Sequence, residues 1–213
     1  MKKRVPGATL EIEQSLWSQG FEMVAGIDEA GRGPLAGPVV AAAAIFPKDL
    51  IIDGVADSKQ LSAKRREECY ERIVAKALSI GVGIVYQDVI DRINIFQATM
   101  QAMHQAMDNL SMKPDFVIVD GPSFRHDTCR FQPIIDGDAK SFTIAAASIV
   151  AKVTRDRMMC ELDARYPEYG FALHKGYGTR RHLEAIRKFG FCEIHRRSFR
   201  PFCLKEIEHR GDE

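Results

Sequence analysis

Three places in the chain put an acid where an apolar run stops. Asp28 and Glu29 follow residues 21–27, Asp120 follows residues 116–119, and Asp138, with Asp136 just before it, follows residues 130–135. Acids just past apolar strands stand where loops carry functional sites. If the strands pair, like charges converge, which is costly unless a cation neutralises them or some stay protonated. Hard divalent cations such as Mg²⁺ and Mn²⁺ favour carboxylate oxygen and water, and Mg²⁺ readily shares its shell with phosphate oxygens. The chemistry this implies is phosphoryl transfer to water, with the leaving oxygen stabilised. One geometric condition attaches. Neighbouring strand residues point to opposite faces, so Asp28 and Glu29 share a site only if the strand ends or bulges there. Gly31 and Gly33 make such a departure cheap.

The run Gly31-Arg32-Gly33-Pro34-Leu35-Ala36 matches a dinucleotide-binding fingerprint, G-x-G-x-x-A. That fingerprint must open a helix whose N-terminus faces a pyrophosphate. Here Pro34, Pro38 and Val39-Val40 predict a second strand instead. Asp28 and Glu29 would also repel a pyrophosphate that came without metal. His104, His126 and His195 have no metal-binding spacing. The five cysteines (Cys69, Cys129, Cys160, Cys192, Cys203) form no C-x-x-C pair and read as reduced thiols.

The elements that must position the acids follow from periodicity. The chain has 213 residues, 46% of them apolar and 28% charged, enough for one large domain or one domain with a small appendage. No apolar run approaches the roughly 18 residues of a membrane span. Glu11 and Glu13 interrupt the N-terminus before any apolar export signal forms, so a cytoplasmic protein is expected. The pattern predicts a short helix over 8–20 and strands over 21–27, 39–46, 80–86, 116–119 and 130–135. It predicts helices over 63–78, capped by Ser62, and over 145–166 and 179–189, the last stopped by Gly190. Phe96, Met100, Met103, Met107 and Leu110 repeat at helical spacing and read as a buried stripe. Pro201 and the charged residues after Lys205 suggest a loosely held tail. Strands mixed with long helices indicate a layered α/β domain. The expected division is an N-terminal helical extension (1–22), a catalytic domain (23–170) and a basic, helical C-terminal region (171–213).

The block Gly26-Ile27-Asp28-Glu29-Ala30-Gly31-Arg32-Gly33-Pro34-Leu35-Ala36-Gly37-Pro38-Val39 closely resembles the signature of type 2 ribonuclease H, the bacterial ribonuclease HII family. Further blocks agree in order: Asp57-Ser58-Lys59-Gln60-Leu61, Val119-Asp120-Gly121, Gly137-Asp138-Ala139-Lys140, residues 145–156 and His174-Lys175-Gly176-Tyr177-Gly178-Thr179. The resemblance implies an RNase H-like fold, a mixed five-stranded sheet flanked by helices with a small helical C-terminal region. It implies hydrolysis of the RNA strand of RNA–DNA hybrids and incision 5′ to ribonucleotides embedded in duplex DNA, leaving 3′-hydroxyl and 5′-phosphate ends. The 27 residues before Asp28 are too few for the extra N-terminal domain typical of ribonuclease HIII.

On this resemblance Asp28, Glu29, Asp120 and Asp138 match the family's four acids and would bind one or two Mg²⁺ or Mn²⁺ ions. Gly31, Arg32 and Gly33 match the loop whose backbone contacts the ribonucleotide's 2′-hydroxyl, and Tyr177 the tyrosine set against the sugar. Ser58, Lys59, Ser148, Lys152 and Lys175 are candidate phosphate contacts. Asp136 reads as a turn residue, and Asp156, inside a helix beside Arg155 and Arg157, as a member of a surface ion pair. Net charge is only +1, yet residues 174–200 hold eight basic residues against two acidic ones, a local stretch suited to a nucleic-acid backbone. Expected partners are the hybrid and ribonucleotide-containing duplex DNA, with no membrane and a monomeric protein. A replication-clamp partner stays open, although residues 204–213 show no clear clamp-binding motif. Two other readings are a non-catalytic hybrid-binding module and a DNA nuclease on the same fold. The intact acid set argues against the first, and the glycine–arginine loop with Tyr177 against the second.

Overall fold

The computed structural model describes residues 8–55 and 61–199. Ser58, Lys59, Arg200, Cys203 and the segment 204–213 therefore lie outside the described residues. In chain order the elements are α1 (Glu11–Ser18), β1 (Val24–Ala30), β2 (Val39–Ile45), α2 (Ala63–Lys76), β3 (Ser79–Val85), α3 (Gln87–Asp108), β4 (Phe116–Asp120), β5 (Arg130–Ile134), α4 (Gly137–Lys140), α5 (Phe142–Arg165), α6 (Phe171–His174) and α7 (Arg180–Phe189). The strands form one five-stranded sheet in the order β3-β2-β1-β4-β5. β1–β2 and β2–β3 pair antiparallel, while β1–β4 and β4–β5 pair parallel. This is the mixed five-stranded sheet that the family resemblance implied.

Both faces of the sheet are covered, which is why β2 reads as an unbroken apolar run, Val-Val-Ala-Ala-Ala-Ala-Ile, buried throughout. Ala41 and Ala43 pack with Ile27, Val117 and Val119 into the core beneath α3. Ala42 and Ala44 face the other way, into the core built with α2 and α5. The small side chains let the helices lie close. At Gly26 the approach of α5 leaves no room for a side chain: a Cβ there would sit 2.5 Å from the Thr143 carbonyl carbon. α5 thus runs directly over β1, two residues from Asp28.

The observed β1 begins later and ends later than the predicted strand 21–27. Its pairing with β2 continues through Asp28↔Ala42, Glu29↔Ala41 and Ala30↔Val40. Backbone pairing to a central neighbour outweighs the poor strand propensity of two acids. α5 starts at Phe142, three residues ahead of the expected position, with Ser141 as its N-cap, accepting from the Ile144 amide. The buried Glu13 of α1 adds a second cap. Its Oε1 accepts from Ser141 Oγ at 2.7 Å and from the Thr143 amide at 2.9 Å. α3 is interrupted at Asn94, whose φ of 68° breaks the helix. The Asn94 side chain then caps the continuation by accepting from the amides of Phe96 and Gln97. α6 and α7 close a smaller core over the 31–38 loop, with Leu35 and Ala36 packed against Met159, Phe171 and Ile186.

Candidate active site

Asp28 and Glu29 both sit inside β1 and point to opposite faces of the sheet, so the strand neither ends nor bulges between them. They meet because the crevice lies off the strand's end and wraps around both faces. A cleft of about 220 Å³ is lined by Asp28, Glu29, Ala30, Gly31, Arg32, Gly33, Asp120, Ser148, Lys152 and Tyr177. The β1–β4 register runs to Ile27↔Val119, which puts Asp120 beside Asp28 on the α5 face. Glu29 faces the α3 side, where Oε1 lies 3.3 Å from Arg32 Nη1.

The electrostatics of the cleft are those of an acid cluster. Asp28 is 4% exposed. Burial, then the charges of Glu29 and Asp120, hold its carboxyl well above the usual carboxylate range. A hydroxyl hydrogen bond from Ser148 and one from the Glu29 amide oppose that rise. Asp120 accepts from the Gly137 amide at 2.6 Å. Asp138, next to Gly137 on α4, is buried at 5% exposure. Among the described residues no three His, Cys, Asp or Glu side chains are gathered into a cage able to hold a metal alone. Mg²⁺ seldom uses such a cage; it binds through one or two carboxylates, with water and substrate phosphate completing the shell. Crowded carboxylates with an open side fit a hard divalent cation on those terms.

Two buried arginines hold the 31–38 loop from behind. Arg196 donates to the carbonyls of Gly31 (2.6 Å), Arg32 (2.9 Å) and Gly37 (2.9 Å). Arg155 donates to those of Pro38 (2.9 Å), Lys175 (2.9 Å) and Ala36 (3.1 Å). Burial lowers both guanidinium groups, Arg155 to about 10 and Arg196 to about 9, which leaves them charged at neutral pH. Carbonyl dipoles take the place of water around these charges.

Tyr177 is 45% exposed, and its ring stands over Gly33. A histidine chain beneath fixes its backbone. The Cys192 amide can only donate, so His195 Nδ1 accepts (2.9 Å) and His195 Nε2 carries the proton. That Nε2–H donates to His182 Nε2 at 3.0 Å, and His182 Nδ1–H donates to the Tyr177 carbonyl at 2.9 Å. His174 stacks on His182, with ring centroids 4.5 Å apart.

A family model described as Ribonuclease HII matches residues 25–202. The chain belongs to the ribonuclease HII family. It is accordingly an endoribonuclease, a phosphodiester hydrolase. Ribonuclease HII of Bacillus cereus (strain 03BB102) is 56% identical over 191 residues, 90% of this chain and 74% of that protein. Among solved structures, ribonuclease H2 of Pyrococcus horikoshii OT3 superposes with a TM-score of 0.72 at 30% identity, covering 88% of this chain and 98% of that one. The ribonuclease HII of Archaeoglobus fulgidus, solved as a complex with PCNA, gives 0.70 at 28% identity over 84% and 96% of the two chains.

Against the ribonuclease HII resemblance, the structure sorts the expected residues into groups. Asp28, Glu29, Asp120, Gly31, Arg32, Gly33, Ser148, Lys152 and Tyr177 share the cleft, whereas Asp138, buried on α4, is not among the residues that line it. Ser148 is buried with its hydroxyl on Asp28. Lys152 is engaged by Asp156 at 2.5 Å. Lys175 lines a different cleft between α2 and α5, together with Arg66, Arg157 and Cys160. Asp156 is held in ion pairs, as expected, and its partners are Lys152 and Arg66. One expectation is corrected. Arg196 is fully buried and leaves the basic surface stretch, in which Arg180, Arg181, Arg187, Lys188 and Arg197 stay exposed. Asp136 is a left-handed turn residue before α4, as expected. Sequence reasoning missed Arg155, Arg196 and the histidine chain. Arg155 carried a signal, since Ser148, Lys152 and Arg155 lie four and three residues apart on one helix face. Arg196 carried none that separated it from Arg197.

Proposed function

We propose that this endoribonuclease hydrolyses the RNA strand of RNA–DNA hybrids and incises 5′ to ribonucleotides embedded in duplex DNA, leaving 3′-hydroxyl and 5′-phosphate ends. The observation that carries this reading is the meeting, in one cleft, of the Asp28, Glu29 and Asp120 carboxylates with the Gly31-Arg32-Gly33 backbone and the exposed Tyr177 ring. Phosphate chemistry and sugar recognition would then operate within one nucleotide of each other.

Asp28, Glu29, Asp120 and Asp138 would hold one or two Mg²⁺ or Mn²⁺ ions, which supply charge stabilisation at the scissile phosphate and a more acidic bound water. The remaining tasks fall to the chain. Ser148 holds the Asp28 carboxylate in one orientation, and the Gly137 amide does the same for Asp120. Lys152, lowered from its usual range by burial and held charged by Asp156, places a cation beside the phosphate. The Gly31-Arg32-Gly33 main chain meets the 2′-hydroxyl, and Tyr177 packs on the neighbouring sugar. A site built around a hydroxyl rejects the analogue lacking it, because its polar partners are left unpaired.

The test is cleavage of three labelled substrates by the purified protein, with and without Mg²⁺. These are a DNA duplex carrying one ribonucleotide, the matching all-deoxy duplex, and a long RNA–DNA hybrid. Metal-dependent cutting of the first and third alone is expected. Cutting of the all-deoxy duplex would favour a DNA nuclease, and tight binding without cutting a hybrid-binding module.

A further inference from the structure

The carbonyl oxygens of Gly31 and Arg32 both point at Arg196, which lies behind the loop and is 0% exposed. A trans peptide is planar, and its C=O and N–H point in opposite directions. Holding Gly31 O inward therefore turns the Arg32 N–H outward, and holding Arg32 O inward turns the Gly33 N–H outward. Outward is the cleft, because Gly31, Arg32 and Gly33 line it and Arg196 does not. Among the described residues neither N–H meets an acceptor. Consecutive N–H groups aimed together make a concavity that binds an electron-rich atom. The guanidinium charge behind them reinforces it through the aligned peptide dipoles.

Arg155 makes a similar set of bonds without this consequence. The amide following Ala36 O belongs to Gly37 and is already given to Ile194 O at 2.9 Å. The residue following Pro38 O is Val39, the first residue of β2. The amide following Lys175 O belongs to Gly176 and is given to His174 Nδ1 at 3.2 Å. Of the two arginines, Arg196 is the one that fixes peptides whose amides face the cleft.

Resting on the ribose-reading function above, we propose that Arg196 is the positioning residue for ribose recognition: its fork presents the Arg32 and Gly33 amides to the substrate's 2′-hydroxyl oxygen. Lysine cannot replace it, because a single ammonium does not reach three carbonyls in a planar array. The same three bonds take the Arg196 guanidinium out of the basic surface, on which the adjacent Arg197 stays exposed.

The experiment compares wild type with Arg196→Lys. Affinity is measured in EDTA for two duplexes identical except for one ribonucleotide, and cleavage is then followed in Mg²⁺. The variant is expected to bind the all-deoxy duplex like wild type and to lose preference for the ribonucleotide by about tenfold or more, with kcat falling further than KM rises. A folded variant with unchanged preference overturns the proposal. Should the variant not fold, wild-type amide resonances decide. Those of Arg32 and Gly33 must shift on adding the ribonucleotide duplex and not the all-deoxy one, and equal shifts or none overturn it. Wild-type cleavage that ignores the ribose would instead sink the parent reading.

Discussion

Gly31 and Gly33 are two residues apart and are glycine for different reasons. Gly31 has a φ of +98°, and a Cβ there would lie 2.1 Å from Arg155 Nε. At Gly33 the nearest atom to such a Cβ is Tyr177 Cε1 at 3.7 Å, an ordinary contact. The folded chain therefore accepts alanine at 33, and what objects is a molecule entering the cleft. Gly33→Ala should keep its thermal midpoint within about 2 °C and lose at least about tenfold in kcat/KM on the single-ribonucleotide duplex. Gly31→Ala should lose on the order of 2 kcal/mol of stability. Parallel losses in both variants would remove the distinction. Asp28 shows the opposite tension. Its raised pKa means the fold favours the neutral carboxyl, so stability present at low pH declines as pH rises above the ordinary carboxylate range. Asp28→Asn should raise the thermal midpoint in EDTA by roughly 2–4 °C, about 1 kcal/mol, while removing nearly all cleavage. A lower midpoint in EDTA would contradict the charge-crowding account.

Among the elements, α5 has the largest part in placing the site, since it carries Ser148, Lys152 and Arg155. Its N-terminus is held by a residue of another helix. Glu13 is completely buried and accepts from Ser141 Oγ and the Thr143 amide, an acid placed where a helix N-terminus favours one. Glu13→Ala would leave the buried Ser141 hydroxyl and Thr143 amide without that acceptor. A loss of about 2–3 kcal/mol is expected, read from urea midpoints with unchanged m-value. A change under about 0.5 kcal/mol would mean that Ser141 alone caps the helix. Ser62 and Thr179 make the same kind of cap for α2 and α7 within their own segments, and both lay at the boundaries predicted from sequence. Ser141 likewise caps α5 from its own segment, but the second cap of α5, Glu13, lies 128 positions from Ser141, and no local pattern marks it.

For the whole molecule, the joint between the C-terminal helices and the 31–38 loop is built on neutral histidines. Burial pushes His182 and His195 down to about 4 and lowers His174 as well, with Arg181, Lys175 and Arg197 adding positive charge nearby. Above the unfolded value of about 6.5 both states are neutral and the contribution is complete. As pH falls from about 6.5 toward 4, the unfolded chain takes up protons that the folded chain refuses, so stability is lost progressively. The loss can reach about 1.4 kcal/mol per histidine for each pH unit. Urea midpoints at pH 7.5, 6 and 5 should decline accordingly, and a His182→Gln/His195→Gln variant should flatten the slope. A flat wild-type profile would mean that the histidines are hydrated in solution.

The strand-end acids and most elements were legible from sequence because each rests on local chemistry, whereas the glycine–arginine loop and Tyr177 were singled out by the family resemblance, and the structure gathers them in one cleft with Asp28, Glu29 and Asp120. Apolar runs make strands, Ser and Thr cap helices, and Gly31 departs from strand geometry. Two things were decided only by the tertiary structure. The first is how far β1 runs: acids at 28 and 29 argue locally for a strand end, but pairing with β2 carries the strand to Ala30 and sends the two carboxylates to opposite faces. The second is which cations face solvent. Arg196 and Arg197 are neighbours of the same type, yet one is sealed against three carbonyls and the other is exposed. A guanidinium's role depends on which acceptors the fold brings to it from a distant segment, here a loop some 160 residues away.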